Sequence, residues 1–283
     1  MAYFPVRADF LNAAKFSPAD VLHGVSPSKA IVSRPGFLRV FADGAPEDAC
    51  FFGREGPGDA APLIWLDGDL SKRVDGVWSV DDFYAEQSPL SVQVWAEQVS
   101  ISLNRTFVAL GRPGTFGSSG NHQERRRRRE VVIVSEVLTA LKAAFGWKVL
   151  DIAGFSGGGH LVAALLAERE DIGCAVIASG NVSVAKRNAT LGWTCDVTGF
   201  NDFIDPVDLA VRVAADPPRR LIVLTDPEDR IVPASCQVHY VERLRDFGVR
   251  VDHRTLSALD YGHHDLRNCA LLAAAANAWR AGN

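Results

Sequence analysis

One serine, set among glycines, has the surroundings that nucleophilic chemistry needs. Residues 154–158 read Gly-Phe-Ser-Gly-Gly, with Ser156 at the centre. The apolar residues 149–153 before it predict a strand, and a helical pattern begins at about Gly158. A serine on a sharp strand-to-helix turn is the arrangement of a nucleophile elbow. We therefore predict that Ser156 is a nucleophile. The free N–H groups at the start of the following helix would face a developing oxyanion.

The pentapeptide alone is modest evidence, since about 0.1 matches are expected by chance in a chain of this length and composition. The alternative reading is a glycine-rich turn that binds a phosphate or only connects two elements. A serine hydroxyl is also a weak nucleophile, and it needs a base that is oriented by a carboxylate. The rest of the chain must therefore supply an acid and a histidine.

Two downstream loops supply these groups in the expected order. Residues 226–233 (Asp-Pro-Glu-Asp-Arg-Ile-Val-Pro) follow a predicted strand, and residues 260–264 (Asp-Tyr-Gly-His-His) follow the next one. Serine, acid, histidine is the chain order that accompanies a nucleophile elbow. Open α/β sheets place their sites at the carboxyl ends of their strands. The residues alone leave two candidate acids, Asp226 and Asp229, and two histidines.

The elements that must position these groups alternate along the chain. Strands are predicted at residues 37–42, 49–53, 63–66, 106–110, 148–153, 174–178, 221–225 and 249–256. Helices are predicted at residues 91–103, 124–145, 160–169, 206–215, 234–247 and 266–280, and residues 69–87 read as a long polar loop. Repeated strand–helix units with apolar strands predict an α/β fold with a mostly parallel central sheet and helices on both faces. The first two strands would form an antiparallel leading hairpin.

Domain organisation follows from the same order. A division of the chain would separate Ser156 from the histidine loop, so we predict a single domain over residues 1–283. Residues 1–35 would be an N-terminal extension that wraps the domain or builds a homodimer contact. Residues 181–205 are irregular and leave the sheet on its catalytic side. They would form a small cap insertion, and the alternative is a surface excursion that does not meet the substrate.

Over residues 36–280 the chain resembles the α/β-hydrolases. It is most similar to the catalytic domains of prolyl-oligopeptidase-like and acyl-peptidase-like serine hydrolases. The resemblance is carried by a serine followed by three glycines, an Asp-Pro-Val-Asp segment, an Asp-x-x-Val-Pro segment and a Gly-His pair. These stand at residues 156–159, 205–208, 229–233 and 262–263.

The resemblance selects among the candidate residues. It favours Asp229 over Asp226 as the acid, because Asp226 stands where the family usually has glycine. It favours His263 over His264, because the family histidine directly follows a glycine. It implies an oxyanion hole formed by the backbone amides of Gly157 and Asp69.

The implied activity is hydrolysis of a carboxylic ester through an acyl-enzyme on Ser156. A peptidase or amidase that acts on short peptides or acylated amino acids is the enzymatic alternative. A ligand-binding receptor on the same fold is the non-enzymatic one. Aromatic residues near the site suggest an apolar or aromatic substrate group. The side chains expected to line the pocket are Phe155, Trp78, Tyr84 and Trp193.

Composition excludes several other classes. The chain has 283 residues, 30 Lys and Arg against 34 Asp and Glu, and 47% hydrophobic residues. These values argue against disorder and against nucleic acid as a partner. No apolar run reaches the roughly 20 residues of a membrane span, and we expect no secretion signal. Five dispersed cysteines without a Cys-x-x-Cys pair suggest neither a zinc site nor a disulfide framework. We expect a cytoplasmic enzyme for a small ester or amide, with no metal and no cofactor.

Five consecutive arginines, Arg125–Arg129, are the local exception to this balance. On a helix they would point all around the axis and would not form a basic stripe. We therefore expect a solvated or subunit-contact helix start here, not a nucleic-acid site.

Overall fold

The computed structural model describes residues 2–28, 33–58, 60–74, 77–213 and 219–280. The chain divides into two compact units. The first contains Met1–Ile64 and Asp69–Lys148, and the second contains Trp65–Gly68 and Val149–Asn283. The prediction of one domain over the whole chain stays a prediction.

Ten strands and eight α-helices are described. The strands are β1 (Phe37–Ala42), β2 (Ala45–Arg54), β3 (Leu63–Leu66), β4 (Ser71–Val74), β5 (Val77–Val80), β6 (Phe107–Leu110), β7 (Leu150–Phe155), β8 (Ile172–Ala178), β9 (Arg220–Thr225) and β10 (Val251–Thr255). The helices are α1 (Pro18–His23), α2 (Asp82–Ala85), α3 (Pro89–Leu103), α4 (Arg128–Phe145), α5 (Gly157–Leu166), α6 (Val184–Leu191), α7 (Ala234–Asp246) and α8 (Arg267–Ala276). The main sheet has eight strands in the order β1-β2-β6-β3-β7-β8-β9-β10, and β4 and β5 form a separate pair.

The first unit contains the antiparallel part of the sheet. The strands β1 and β2 form the predicted leading hairpin, and β2 also pairs antiparallel with β6. Three aromatic residues of the N-terminal segment, Phe4, Phe10 and Phe16, pack their rings against Phe51 and Phe52 of β2. These contacts remove apolar surface of Phe51 and Phe52 from water.

Two stretches differ from the predicted elements. Residues 69–87, read as a loop, contain the β4–β5 pair and the short helix α2. The two strands are four residues each, too short for an alternating apolar pattern to mark them. The helix predicted at 206–215 is instead a run of turns with a 3₁₀ turn at Ala210–Arg212. Residues 214 and 215 lie outside the described residues.

The second unit contains the parallel part of the sheet. Three parallel pairs, β7 with β8, β8 with β9 and β9 with β10, make up this part. The register aligns their carboxyl ends, with Phe155 opposite Ala178 and Thr255 opposite Thr225. Helices α5 and α8 pack on β7 and β8, and every residue of α5 is buried. The loops after these four strands therefore meet at one edge of the sheet, which is where a site on this fold is expected.

No helix in the described part of the chain is both long enough and apolar enough to cross a membrane.

Candidate active site

Ser156 occupies the sharp turn between β7 and α5, as the sequence indicates. Its backbone has φ 52° and ψ −115°, a conformation that a non-glycine residue adopts only where its surroundings enforce it. Three hydrogen bonds enforce it here. The Ser156 amide donates to the Ala178 carbonyl at 2.9 Å. The Ser156 carbonyl accepts from the amides of His160 at 3.1 Å and Asn181 at 3.4 Å. The serine is thus held rigidly at the sheet edge.

Two of the glycines around Ser156 are required by close backbone approach. A Cβ atom on Gly154 would lie 2.4 Å from the Gly158 carbonyl oxygen, and one on Gly158 would lie 2.0 Å from the Leu66 carbonyl oxygen. Both distances are far inside van der Waals contact, so a side chain at either position would push the turn open. Gly157, the first residue of α5, contributes an N–H group that has no acceptor within the helix. That amide is available to stabilise negative charge beside the serine.

A buried aspartate–histidine pair lies in the same unit. The Nδ1 atom of His264 is 2.8 Å from Oδ2 of Asp229. The other oxygen of Asp229 accepts hydrogen bonds from the amides of Ile231 at 2.8 Å and Val232 at 2.9 Å. The carboxylate is therefore fixed by three donors, and it in turn orients the imidazole.

The second ring nitrogen of His264, Nε2, is buried and has no hydrogen-bond partner in the described part of the chain. The ring centroid lies 4.9 Å from that of Phe155, the residue that precedes Ser156 in the chain. An imidazole held at Nδ1 by a carboxylate, with Nε2 unpaired, has the arrangement of a general base.

The expectation that His263 pairs with Asp229 is therefore wrong. His263 Nδ1 lies 3.3 Å from Oδ2 of Asp226, and its Nε2 lies 3.5 Å from Oε2 of Glu228. Its side chain is 28% exposed, against 11% for His264. The structure thus contains two parallel pairs, Asp226 with His263 and Asp229 with His264.

A tight turn explains this one-residue shift. The carboxylate of Asp260 accepts hydrogen bonds from the amides of Gly262 at 3.0 Å and His264 at 2.9 Å. His263 lies at the corner of this turn with φ 53°, in the left-handed region. The turn sends the two successive imidazoles to different aspartates.

Asp226, the alternative acid, connects the two loops. Its Oδ2 atom accepts from the Ala258 amide at 2.7 Å as well as from His263, and its Oδ1 atom accepts from the Glu228 amide at 2.8 Å. Burial alone would raise the pKa of this carboxyl group, but these hydrogen bonds outweigh it and lower the pKa below its ordinary value. Asp226 is therefore an ionised carboxylate that links two loops. These are the loop after β9, called the acid loop (residues 226–233), and the loop after β10, called the histidine loop, which contains Ala258 and His263.

In the first unit, Asp69 has a carboxylate surrounded by arginines. It forms ion pairs with Arg112 at 3.0 Å, with Arg125 at 3.2 Å and with Arg126. Burial would raise the pKa of this carboxyl group. The guanidinium groups, Arg126 foremost, instead hold it well below its ordinary value. The Asp69 carboxylate, which belongs to the same residue as the predicted oxyanion-hole amide, is therefore ionised, and its charge is balanced by the three arginines.

This cluster also corrects the interpretation of the arginine run. Arg125 and Arg126 are buried and not solvated, and both pair with Asp69. The run is not on one helix either, since α4 begins at Arg128 and Arg126 has φ 68°. The physical reason is the counter-charge of Asp69, which lies far away in the sequence.

Replacing Asp69 with asparagine should lower the free energy of unfolding by about 3 kcal/mol, because it removes a negative charge that three buried guanidinium groups share. Since the pKa of Asp69 is lowered on folding, its contribution is present above the ordinary carboxyl pKa and is lost as the pH falls through the folded value. Urea denaturation at pH 7 and at pH 3 measures both effects, and the gap between the proteins should narrow at pH 3. The control is Asp252→Asn, which removes an exposed ion pair with Arg254 and should change stability by less than about 1 kcal/mol. Equal losses in the two variants would contradict the prediction.

Of the four aromatic residues expected to line a pocket, only Phe155 contacts a member of the aspartate–histidine pair. Trp78 lies on β5 with the Arg125 guanidinium 5.4 Å above its ring. Trp193 is partly exposed and stacks on Arg187 at 4.6 Å.

Tyr84 is a core residue of the first unit and not a pocket residue. It is fully buried against Phe16 and Phe116, and its hydroxyl accepts from the Phe116 amide at 3.2 Å. An aromatic residue within a polar stretch of sequence gives no sign of whether it faces a pocket or the core.

The predicted cap segment contains α6. The carboxylate of Asp205 accepts from the amides of Val184 at 2.8 Å and Ala185 at 2.9 Å at the start of this helix. Arg187 of α6 donates to the Ile231 carbonyl in the acid loop at 3.0 Å. The segment is therefore attached to the acid loop, and its role as a cap stays a prediction. No group of three or more histidine, cysteine, aspartate or glutamate side chains suited to a metal ion occurs among the described residues.

No protein-family model matches the chain. No curated protein matches it. Solved structures do match. An esterase of Pyrococcus furiosus is 15% identical, with 88% of this chain and 89% of that chain covered and a TM-score of 0.56. Est1E of Butyrivibrio proteoclasticus, solved with bound ferulic acid, is 14% identical, with 84% and 96% covered and a TM-score of 0.57.

Peptidases match over part of their length. An acylaminoacyl peptidase of Pyrococcus horikoshii is 16% identical with a TM-score of 0.56, and 80% of this chain is covered. The chain spans only 37% of that protein. These proteins differ in length and in the activities that their names state, but they share one architecture. The order of strands, the elbow at Ser156 and these likenesses together show that this chain has the α/β-hydrolase fold.

Proposed function

We propose that the protein is a serine hydrolase that works through an acyl-enzyme on Ser156, with His264 as general base and Asp229 as the orienting acid. The observation that carries the proposal is the pairing within the second unit. A strained serine stands on a β-strand-to-helix turn, and the ring of the adjacent Phe155 contacts a histidine whose Nδ1 is bound to a buried aspartate. The aspartate and the histidine have the hydrogen bond that a triad requires between them, and the unpaired Nε2 of His264 is the atom that would accept the Ser156 proton.

The chemistry follows from these positions. The Ser156 oxygen attacks the substrate carbonyl carbon while Nε2 of His264 takes the hydroxyl proton. Asp229 keeps the proton of the neutral ring on Nδ1 and stabilises the imidazolium that forms. The proton then passes from Nε2 to the leaving group as its bond to the carbonyl carbon breaks. Water enters and repeats the sequence on the acyl-enzyme, which releases the acid and restores Ser156.

The oxyanion would be stabilised by the Gly157 amide at the start of α5, where the helix dipole adds to the hydrogen bond. The second donor that we propose is the amide of Asp69, as the family resemblance implies. Ion pairing of the Asp69 carboxylate with three arginines supports this choice, since it offsets a negative charge that would oppose the developing oxyanion.

A carboxylic ester is the substrate that we propose. The two esterase structures are matched along most of their own length, at 89% and 96%. The acylaminoacyl peptidase is matched along 37%, and a puromycin-hydrolysing peptidase of Mycobacterium tuberculosis along 36%. The same groups could cleave an amide, so activity on short peptides or acylated amino acids is the second candidate. Phe155 next to the nucleophile favours an apolar acyl or leaving group.

A fluorophosphonate probe tests the proposal directly. We expect one molecule of probe to attach to Ser156 in the folded protein, read as a single mass increase and located by peptide mapping. Ser156→Ala and the denatured wild type should remain unlabelled, because labelling needs both the hydroxyl and the assembled base. A folded wild type that the probe does not label would point to a ligand-binding receptor instead. A panel of acyl esters and aminoacyl amides would then separate esterase from peptidase activity.

A further inference from the structure

Ser179 is a buried, non-glycine residue with a positive φ. It directly follows β8, at the sheet edge that carries Ser156 and the histidine loop. It is fully buried, and its amide donates to the Leu224 carbonyl at 3.0 Å. Its φ is 47°, in the region where glycine is the usual residue. A serine with this backbone conformation is strained, so we ask what its side chain contacts.

The hydroxyl of Ser179 binds the proposed general base. Its Oγ atom donates to the backbone carbonyl of His264 at 2.7 Å. The His264 amide is held by Asp260, and its ring is held by Asp229. The His264 carbonyl also accepts from the Leu266 amide at 3.0 Å, within the histidine loop itself. Ser179 therefore supplies the shorter of the two hydrogen bonds to this carbonyl, and it is the one that reaches the histidine from the turn after β8.

The same short turn also reaches the nucleophile. Two residues after Ser179, the Asn181 amide donates to the Ser156 carbonyl at 3.4 Å. The turn at residues 179–181 is thus attached to the histidine by a side chain and to the serine by the backbone. It joins two groups that lie far apart in sequence and must meet for proton transfer.

Backbone strain in the second unit gathers around these groups. Its described non-glycine residues with positive φ are Ser156, Ser179 and His263. The first is the proposed nucleophile, and the third forms the corner of the histidine turn. Strained residues persist where the surrounding structure enforces their backbone conformation, and they cluster at active sites. Ser179 shares the strain but has no chemical role of its own in the proposed mechanism.

We propose that Ser179 is a positioning residue, whose hydroxyl fixes the His264 backbone so that Nε2 of the imidazole faces the Ser156 oxygen. The proposal rests on the proposed function, since it concerns the same triad. The competing explanation is that Ser179 is an ordinary buried serine that adds only to stability. The two differ in what happens when the hydroxyl is removed without a loss of stability.

Two variants make that separation. Ser179→Ala removes the hydroxyl and keeps the unfavourable φ, whereas Ser179→Gly removes the hydroxyl and relieves the strain. The matched control is Ser100→Ala. Ser100 is another buried serine, and its hydroxyl donates to the Arg105 carbonyl at the same distance of 2.7 Å. The readouts are kcat and KM for p-nitrophenyl butyrate, the rate of fluorophosphonate labelling of Ser156, and the thermal midpoint.

We expect both Ser179 variants to lose about tenfold to a hundredfold in kcat, the range of small misalignments of a catalytic group. Their labelling rates should fall in parallel, and their KM values should stay within about twofold. Ser179→Gly should keep or raise the thermal midpoint, and Ser100→Ala should lower the midpoint while keeping wild-type kcat.

Wild-type kcat in Ser179→Gly would overturn the inference, and so would an equal loss of kcat in Ser100→Ala. Both results require a wild type that is active and labelled at Ser156, so they leave the proposed function intact. A wild type that is neither active nor labelled would instead overturn both proposals.

Discussion

His264→Ala should lower kcat by about three to four orders of magnitude, and His263→Ala should lower it by less than about tenfold. The difference follows from the partners. His264 is held by the buried Asp229 and keeps a free, buried Nε2, whereas the partly exposed His263 lies between Asp226 and Glu228. The measurement is kcat and KM for p-nitrophenyl butyrate in the two matched variants, with circular dichroism to check folding.

The adjacent positions of the two histidines make the comparison sharp. The substitutions remove the same imidazole, one residue apart, from one loop. A large loss in His263→Ala with a small loss in His264→Ala would reject the assignment of the base. Similar losses in both would show that the two aspartate–histidine pairs act as a unit.

The acid should show the same asymmetry. We expect Asp229→Asn to lower kcat by about three to four orders of magnitude, because the amide no longer enforces the proton on Nδ1 or balances the imidazolium. Asp226→Asn should stay within about tenfold in kcat. Its main effect should be on stability, because it weakens the acceptor of the Ala258 amide that joins the two loops.

Steady-state kinetics and urea denaturation of both variants separate these roles. Asp229→Asn should cause the larger loss of kcat. Relative to its loss of kcat, Asp226→Asn should cause the larger loss in the free energy of unfolding. Near-wild-type turnover in Asp229→Asn would transfer the role of acid to Asp226. The proposed triad would then have to use His263.

The local pattern of apolar and turn residues was enough to predict much of the fold. Apolar strands such as β9 are short, bounded by turn residues and buried, so their sequence and their place in the sheet agree. The strand-to-helix turn at Ser156 was also predictable, because the glycines that such a turn needs are its neighbours in the sequence. Close approach of Gly158 to the Leu66 carbonyl shows why no other residue fits there.

What could not be predicted depends on long-range bonds. Which histidine pairs with Asp229 depends on hydrogen bonds from the amides of Gly262 and His264 to Asp260, and no spacing rule encodes these bonds. Burial of Arg125 depends on Asp69, a residue in a different element. Ser179 gives no signal at all, since a serine after a strand is common and its φ and its bond to His264 appear only in three dimensions.

The strained backbone at Ser156, Ser179 and His263 bears on how such a chain can be improved in the laboratory. Glycine at any of the three would ease the backbone, so a selection for heat tolerance alone would tend to gather substitutions there. Each of those gains would remove a hydroxyl or an imidazole from the proposed site or its neighbourhood. A stabilising library for this protein should therefore leave these three positions unchanged and draw its substitutions from elsewhere in the chain.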